Sequence, residues 1–297
     1  MFVLAHISDP HLAPLPRPHW SELIGKRATG FVNWNRKRRL IHRADVLARV
    51  TAHLRASDPD HIAVTGDLVN ISGIDEYAPA RAWLESLGKR ARITLVPGNH
   101  DAYVRGADAH FRSHWGQFMR DDDISKFGFP FVRRRGPVAL IGLSSAVPTA
   151  PFLATGRLGR EQIGRLAELL DECGRQEYFR VVLVHHPPRS SLRRHFKRLL
   201  DAPRFRAVLA RHGAELVLHG HDHVHSLTHL QGPVAPIPAV GVPSASQAPR
   251  PGHDAPGYNL CHIEGRPGSW RCEIFARGLG ADGESMTEIR RTSLALE

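Results

Sequence analysis

One positional regularity constrains the fold more than any other. Six short runs rich in Val, Ile and Leu occupy residues 2–7, 62–65, 93–96, 138–143, 181–184 and 216–218, and all but the fourth run straight into Asp, Asn or His clusters. Runs this short and this apolar read as strands covered on both faces. Helical periodicity fills the intervals at residues 36–55, 76–87, 161–173 and 196–212. Strand alternating with helix predicts an α/β sheet with crossover connections. Ligands of such sheets gather outside the carboxyl ends of the strands, so clusters distant in the chain are expected to converge there.

The clusters carry metal-binding chemistry. Asp9 and His11 follow the first run, Asp67 the second, and Asn99, His100 and Asp101 the third. His185 and His186 follow the fifth, and His219, His221 and His223 the sixth. Mixed oxygen and nitrogen donors suit Mn, Fe or Zn, whereas calcium prefers oxygen alone. Asp9, His11, Asp67, Asn99, His185, His221 and His223 are too many ligands for one ion and fit two divalent ions sharing a carboxylate. Two dications outweigh the carboxylates of Asp9 and Asp67, leaving a positive centre that should hold a phosphate group. Ions about 3.5 to 4 Å apart can deprotonate water at neutral pH and clamp the oxygens of an in-line displacement. Gly66, Gly98 and Gly220, beside the clusters, allow sharp turns and keep bulk out of the pocket.

The motifs Asp9-Pro10-His11, Gly66-Asp67-Leu68-Val69-Asn70, Gly98-Asn99-His100-Asp101, His185-His186-Pro187-Pro188 and Gly220-His221-Asp222-His223 resemble, in order, the five signature blocks of the calcineurin-like metallophosphoesterase family. The resemblance covers residues 9–223. It implies an α/β fold, a four-layer αββα sandwich of two mixed β-sheets flanked by helices. It also implies that Asp9, His11, Asp67 and His223 hold one metal and Asp67, Asn99, His185 and His221 the other, with Asp67 bridging. His100 would contact a phosphoryl oxygen or protonate the leaving group, and Asp101 would orient its imidazole. By the same likeness His185, not His186, is the ligand, and His219 lies packed beneath the last block. Asn70 stands where many relatives carry Asp or Thr, a position that supplies no ligand.

A single domain is expected over residues 1–277, with 14–35 and 103–130 as inserted cap segments. Strand-like pieces at 235–242, 257–263 and 269–276 predict a second, more antiparallel sheet region, and 278–297 reads as a peripheral C-terminal tail. No apolar run approaches the ~20 residues needed to span a bilayer. The first residues lack the basic start and apolar core of a secretory signal, so a cytoplasmic location is expected, with allowance for contact at the inner membrane. Three scattered cysteines, Cys173, Cys261 and Cys272, suit reduced thiols.

A formal charge of +11 predicts anionic partners. Basic runs lie at 36–39, 133–135 and 189–198. Most such runs are solvated surface, but the last follows His185 and His186 directly, which nominates Arg189 and Arg193 for substrate binding. Trp20, Phe31 and Trp34 precede the first Arg-rich stretch, an aromatic and cationic mixture that suits a cap or a patch facing an anionic membrane. The function implied is a binuclear metal-dependent phosphohydrolase that cleaves a phosphodiester or pyrophosphate bond with metal-activated hydroxide. Its substrate would be a small molecule, such as a cyclic nucleotide or glycerophosphodiester, or a lipid-linked compound of the UDP-diacylglucosamine type. A nuclease is the alternative that the charge supports, although stacking aromatics are not interleaved with it. A non-catalytic binding scaffold of the same fold would be expected to lack ligands, and none is missing. A phosphoprotein phosphatase would be expected to carry further Arg motifs beside the blocks.

Overall fold

Alternation along the central strands decides the layering. In the computed structural model, which describes residues 1–123, 128–189 and 192–296 and only the backbone at 192–194, β6 (Phe179–Leu183) sends Val181 and Leu183 into one apolar cluster and Val182 into another. β5 (Val138–Gly142) and β7 (Leu216–His219) do the same: Leu140, Leu216 and Leu218 join the first cluster, while Ile141 and Val217 join the second. The first cluster also contains Leu4, Ala5 and Ile7 of β1 (Phe2–Ile7) and Ile62 to Val64 of β2 (His61–Val64), and so lies between two sheets. The second contains Ile163, Leu166 and Leu170 of α6 (Arg160–Arg175) with Phe205 and Leu209 of α7 (Ala202–His212). A strand apolar on both faces is thus explained by a sheet on one side and helices on the other.

Each sheet has six strands. The first runs β12-β11-β10-β1-β2-β3, with β3 at Ile93–Leu95, β10 at Gly257–Glu264, β11 at Arg271–Leu279 and β12 at Met286–Leu294. The second runs β4-β5-β6-β7-β9-β8, with β4 at Phe131–Arg135, β8 at Ser226–Leu230 and β9 at Ile237–Gly241. Strands β1 to β3 are parallel, as are β5, β6, β7 and β9. Antiparallel pairs complete the edges, making both sheets mixed. Helices α3 (Ala44–Ala56) and α4 (Tyr77–Leu87) bury Val50, Leu54 and Leu84 against the first sheet. The four-layer αββα sandwich of two mixed sheets is the architecture observed.

Four expectations need correction. The strands beyond residue 225 build no separate antiparallel region: β10 pairs with β1, extending the first sheet, while β8 and β9 extend the second. Residues 278–297 are not merely a tail, because β12 pairs with β11 from Met286 to Leu294. As an edge strand exposing Glu288, Arg290 and Arg291, β12 carries little apolar signal. The segment 103–130 is no simple cap, since α5 (Ala107–Trp115) drives Phe111 and Trp115 into the main core and the Trp115 indole N–H donates to the Tyr77 carbonyl at 3.1 Å. Finally, the single helix expected at 36–55 is two pieces. Helix α1 (Lys26–Asn33), a π-helical turn at Trp34–Arg38 and α2 (Arg39–Ile41) form one stretch; α3 follows after extended backbone at His42 and Arg43. That break is fixed from outside, because the Arg43 amide donates to the Ser246 carbonyl at 2.9 Å. Among the described residues no helix is long and apolar enough to cross a membrane.

Candidate metal centre

The loops leaving the carboxyl ends of β1, β2, β3, β6 and β7 meet at one edge, with the parallel strands of both sheets aimed at the same place. Backbone strain marks the meeting point. Asp9, His11, Asp67, His221 and His223 all adopt positive φ, at 51°, 35°, 57°, 70° and 56°. Each such residue costs on the order of 1–2 kcal/mol when it is not glycine, and the concentration of that cost at candidate ligands is the usual mark of a functional site. Hydrogen bonds between loops hold the strained backbone: Asp9 N–H donates to the Gly66 carbonyl at 3.0 Å and His11 N–H to the Asp67 carbonyl at 3.1 Å. Close approach requires glycine at two positions. A Cβ on Gly98 would lie 2.2 Å from Asp67 Oδ1, and one on Gly220 would lie 2.0 Å from Ser8 Oγ.

Among the described residues the donor atoms fall into two separate groups, linked by a third made of His11, Asp67 and His100. Asp9, His11 and His223 form one, and Asp67, His185 and His221 the other, each with ligand atoms within 4.8 Å of one another. Asp67 stands between them, its Oδ2 3.7 Å from His11 Nε2 and 3.4 Å from His185 Nε2. His223 Nε2 lies 3.1 Å from Asp9 Oδ1, and Asn99 Oδ1 lies 3.2 Å from His185 Nε2. The outer ring nitrogens are already committed. His185 Nδ1–H donates to the Thr65 carbonyl at 2.6 Å, turning Nε2 inward; His221 Nε2–H donates to the Lys197 carbonyl at 3.0 Å, turning Nδ1 inward. This is how ligating histidines are oriented. The two inward nitrogens lie within hydrogen-bond distance of each other at 3.2 Å.

Electrostatics agree with that chemistry. Burial alone would raise the carboxyl of Asp67, yet His185 and His100 hold it well below its ordinary value; Asp9 is likewise held down against burial by His223. Burial works against a proton on His185, but Asp67 prevails and lifts it to about 9. Burial and Arg38 keep His11 well below its usual value, and burial and His186 do the same for His221. Ionised carboxylates with the neutral imidazoles of His11 and His221, and with His185 holding a proton that a bound metal would displace, are a donor set that fits divalent transition metals. His186 is turned away, its Nδ1 2.7 Å from Ser145 Oγ and its Nε2 3.1 Å from the Ala154 carbonyl. His219 is packed beneath the site, its ring beside Gly241.

His100 sits at the rim of the donor groups. Its backbone N–H donates to Asp67 Oδ1 at 2.7 Å, its Nδ1–H to the Asn70 carbonyl, and its ring stacks on Tyr103 with centroids 5.3 Å apart. Asp101 does not orient that ring, contrary to the expectation from resemblance. Its carboxylate accepts four backbone N–H bonds, from Asp67 and Gly98 at one oxygen and from Leu68 and Val69 at the other, at 2.8 to 3.2 Å. Asp101 therefore fixes the loop that carries Asp67. Asp101→Ala would leave four buried donors unmatched, so unfolding in denaturant should show a loss of roughly 3 kcal/mol or more. Unchanged stability with a slower reaction would restore the orienting role.

Glu76, Arg38, His42, Ser244 and Ser246 escaped the sequence reading. Glu76 caps the amides of Asn70, Ile71 and Gly73, while Asn70 Nδ2 donates to the Leu12 carbonyl at 2.8 Å, so the position of Asn70 ties two site loops together. Ser244 follows β9 and donates its hydroxyl to the Asp9 carbonyl at 2.7 Å. Arg38 belongs to a run of cations that looked like solvated surface, yet its guanidinium lies 2.8 Å from His100 Nε2. Its spacing of four from His42 was the available signal. Of the arginines nominated for substrate, Arg189 is exposed, and no hydrogen bond or ion pair among the described residues joins it to the site; the side chain of Arg193 lies outside the described residues.

A family model described as calcineurin-like phosphoesterase matches residues 2–225. A probable cyclic nucleotide phosphodiesterase from a Synechococcus strain is 30% identical over 179 residues, 59% of this chain and 62% of that one. The glycerophosphodiester phosphodiesterase GpdQ of Enterobacter lignolyticus is 35% identical over 99 residues, 33% of this chain and 29% of that one. The chain thus spans less than two thirds of each curated relative. A dimetal phosphatase from Danio rerio superposes with a TM-score of 0.63 at 12% identity, covering 100% of this chain and 99% of that one, a likeness of fold.

Proposed function

Because the chain belongs to the calcineurin-like phosphoesterase family, we propose that it is a two-metal phosphohydrolase whose substrate is a small phosphodiester. The position of Asp67 carries the reading: one buried carboxylate faces His11 on one side and His185 on the other, and so serves two donor groups. Asp9, His11, Asp67 and His223 would hold one ion; Asp67, Asn99, His185 and His221 would hold the other. Such a pair, when bound, supplies Lewis-acid activation of water and neutralises charge on phosphorus. The chain's own part is to fix the ligands through Thr65, Lys197 and the Asp101-capped loop, and to set His100 where a phosphoryl oxygen or leaving group would lie.

The curated relatives are named as phosphodiesterases, which favours a diester over a monoester. Space supports this choice. A cavity of about 600 Å³ is lined by Ala28, Val32, Tyr103 and Phe152, a volume within the usual range for a small-molecule site. Tyr103 is also the ring stacked on His100, so the second alcohol of a diester has room one side chain away from the reacting group. A lipid-linked substrate is the second reading, favoured by Phe152 being 87% exposed in that wall and Trp20 78% exposed on the preceding segment, with Arg36, Lys37 and Arg39 also exposed.

The test is a hydrolysis screen of Mn-loaded protein against monoesters, cyclic nucleotides, glycerophosphodiesters and nucleotide-sugar pyrophosphates, with and without anionic micelles. Diesters should be turned over at least about tenfold faster than the matching monoesters. Chelation should remove activity, and added Mn should restore it. Micelle-dependent hydrolysis of the pyrophosphate would select the lipid reading. A protein loaded with two ions that hydrolyses none of these would overturn both.

A further inference from the structure

From the placement of Arg38 we infer that this side chain is the phosphoryl clamp of the site, delivered by the π-helical turn at Trp34–Arg38; the inference rests on the two-metal reading above. The guanidinium reaches three imidazoles: His100 Nε2 at 2.8 Å, His11 Nδ1 at 2.9 Å and His42 Nε2 at 3.3 Å. None can balance its charge. His100 offers a bare ring nitrogen, because its Nδ1–H is given to the Asn70 carbonyl, and His42, whose Nδ1 engages Ser246 Oγ at 2.9 Å, offers a neutral ring. His11 brings no negative charge either: its Nδ1 lies 2.9 Å from the guanidinium and 3.3 Å from the Val69 carbonyl, while its Nε2 faces Asp9 and Asp67.

Among the described residues no carboxylate lies within ion-pair distance of Arg38, and its buried Nε has no hydrogen-bond partner. Arg38 is half-buried, and the carboxylates of Asp67, Asp9 and Glu76 favour its charge only from beyond that distance, so part of the cost of drawing it out of water is returned by no direct ion pair. A fold retains such an arrangement when an anion arrives to complete it. The fork of N–H groups on guanidinium matches the oxygens of a phosphoryl group, to which it bonds in pairs. His100 on one side and His11 on the other place that fork over the ground between His100 and the candidate metal ligands.

The local backbone explains how one residue of a basic run is singled out. The turn at Trp34–Arg38 is π-helical, closed by a bond from Arg39 N–H to the Trp34 carbonyl five residues back. The wider turn rotates Arg38 inward, while Arg36, Lys37 and Arg39 stay exposed. Trp34 anchors the turn, 5% exposed and stacked on His42 with planes 7° apart. Single π turns inside α-helices recur at functional sites for this reason.

Titration calorimetry of inorganic phosphate into Mn-loaded protein tests the clamp directly, beside turnover of bis(4-nitrophenyl) phosphate. Arg38→Ala should keep two Mn per chain, weaken phosphate binding about tenfold or more, and lower kcat/KM on the order of 10²-fold. Arg38→Lys, which keeps the charge without the fork, should recover part of the loss. Arg39→Ala, on the exposed side of the same stretch, should match the parent in all three. The proposal is overturned if metal-replete Arg38→Ala binds phosphate as the parent does, if the parent binds no phosphate, or if Mn is lost with the side chain, which would make Arg38 a support for His11. Failure of the two-metal reading looks different: the parent would bind Mn and phosphate yet leave every ester intact.

Discussion

Asp67→Asn is expected to reduce phosphoester hydrolysis to the detection limit while leaving the fold in place. The two side chains have the same shape, so the hydrogen bond from His100 N–H to Oδ1, at 2.7 Å, can survive. What is lost is charge at the point where the two donor groups meet. Asp67 is kept ionised despite burial by His185 and His100, and Oδ2 faces both His11 and His185. An amide oriented to keep the Oδ1 bond would turn its NH2 toward the ions, setting a donor against a cation. One carboxylate, Asp9, would remain to offset two dications, so elemental analysis should find fewer than two ions per chain alongside the lost turnover. Near-normal rates with two ions bound would show that Asp67 is not shared between them.

The legible part of this molecule is the part fixed by local rules. Short apolar runs identified β1, β2, β3, β5, β6 and β7, because strands buried on both faces need apolar residues throughout. The polar clusters after them predicted the convergence of Asp9, Asp67, Asn99 and His185, since the carboxyl ends of parallel strands share an edge. Illegible were the features set by partners distant in sequence. β12 is half polar because it lies at an edge, and only its pairing with β11 reveals it as a strand. The family resemblance made Asp101 the orienter of His100, but its four amide partners span Asp67 to Gly98 and cannot be read from the motif.

Arg38 shows the same limit at the level of one helix. A run of Arg36, Lys37, Arg38 and Arg39 on regular helical spacing spreads its charges around the axis, and solvation is the natural reading. The π turn changes which of them faces inward, and that turn is braced by Trp34 stacked on His42 and by His42 bonded to Ser246, 204 residues away in the chain. The stretch formed by α1 and this turn is therefore more than a cover. It contributes a fixed wall of the site, with Lys26 Nζ bonded to Thr149 Oγ1 and Gly30 seated against Tyr103, where a Cβ would come within 2.7 Å of the phenol oxygen.

His100→Ala is the change that separates chemistry from metal binding. His100 Nδ1 is occupied by the Asn70 carbonyl, and Nε2 points to Arg38, away from the tight contacts that join His185, His221 and Asn99. Geometry alone leaves a competing role, since His100, His11 and Asp67 also present ligand atoms within 4.8 Å of one another. Burial and Arg38 hold His100 down at about 3, so it can serve the phosphoryl group only if an arriving anion draws Arg38 off Nε2 and lets that nitrogen take a proton; its loss should then slow turnover by about 10²-fold or more, the scale for removing a general acid or a single charge-stabilising donor. Two ions per chain should remain. Part of the lost rate should return with substrates whose leaving alcohol is strongly acidic, because such an alcohol departs without a proton. A variant that instead loses one ion, and shows the same deficit with good and poor leaving groups, would identify His100 as a ligand and move the acid role elsewhere.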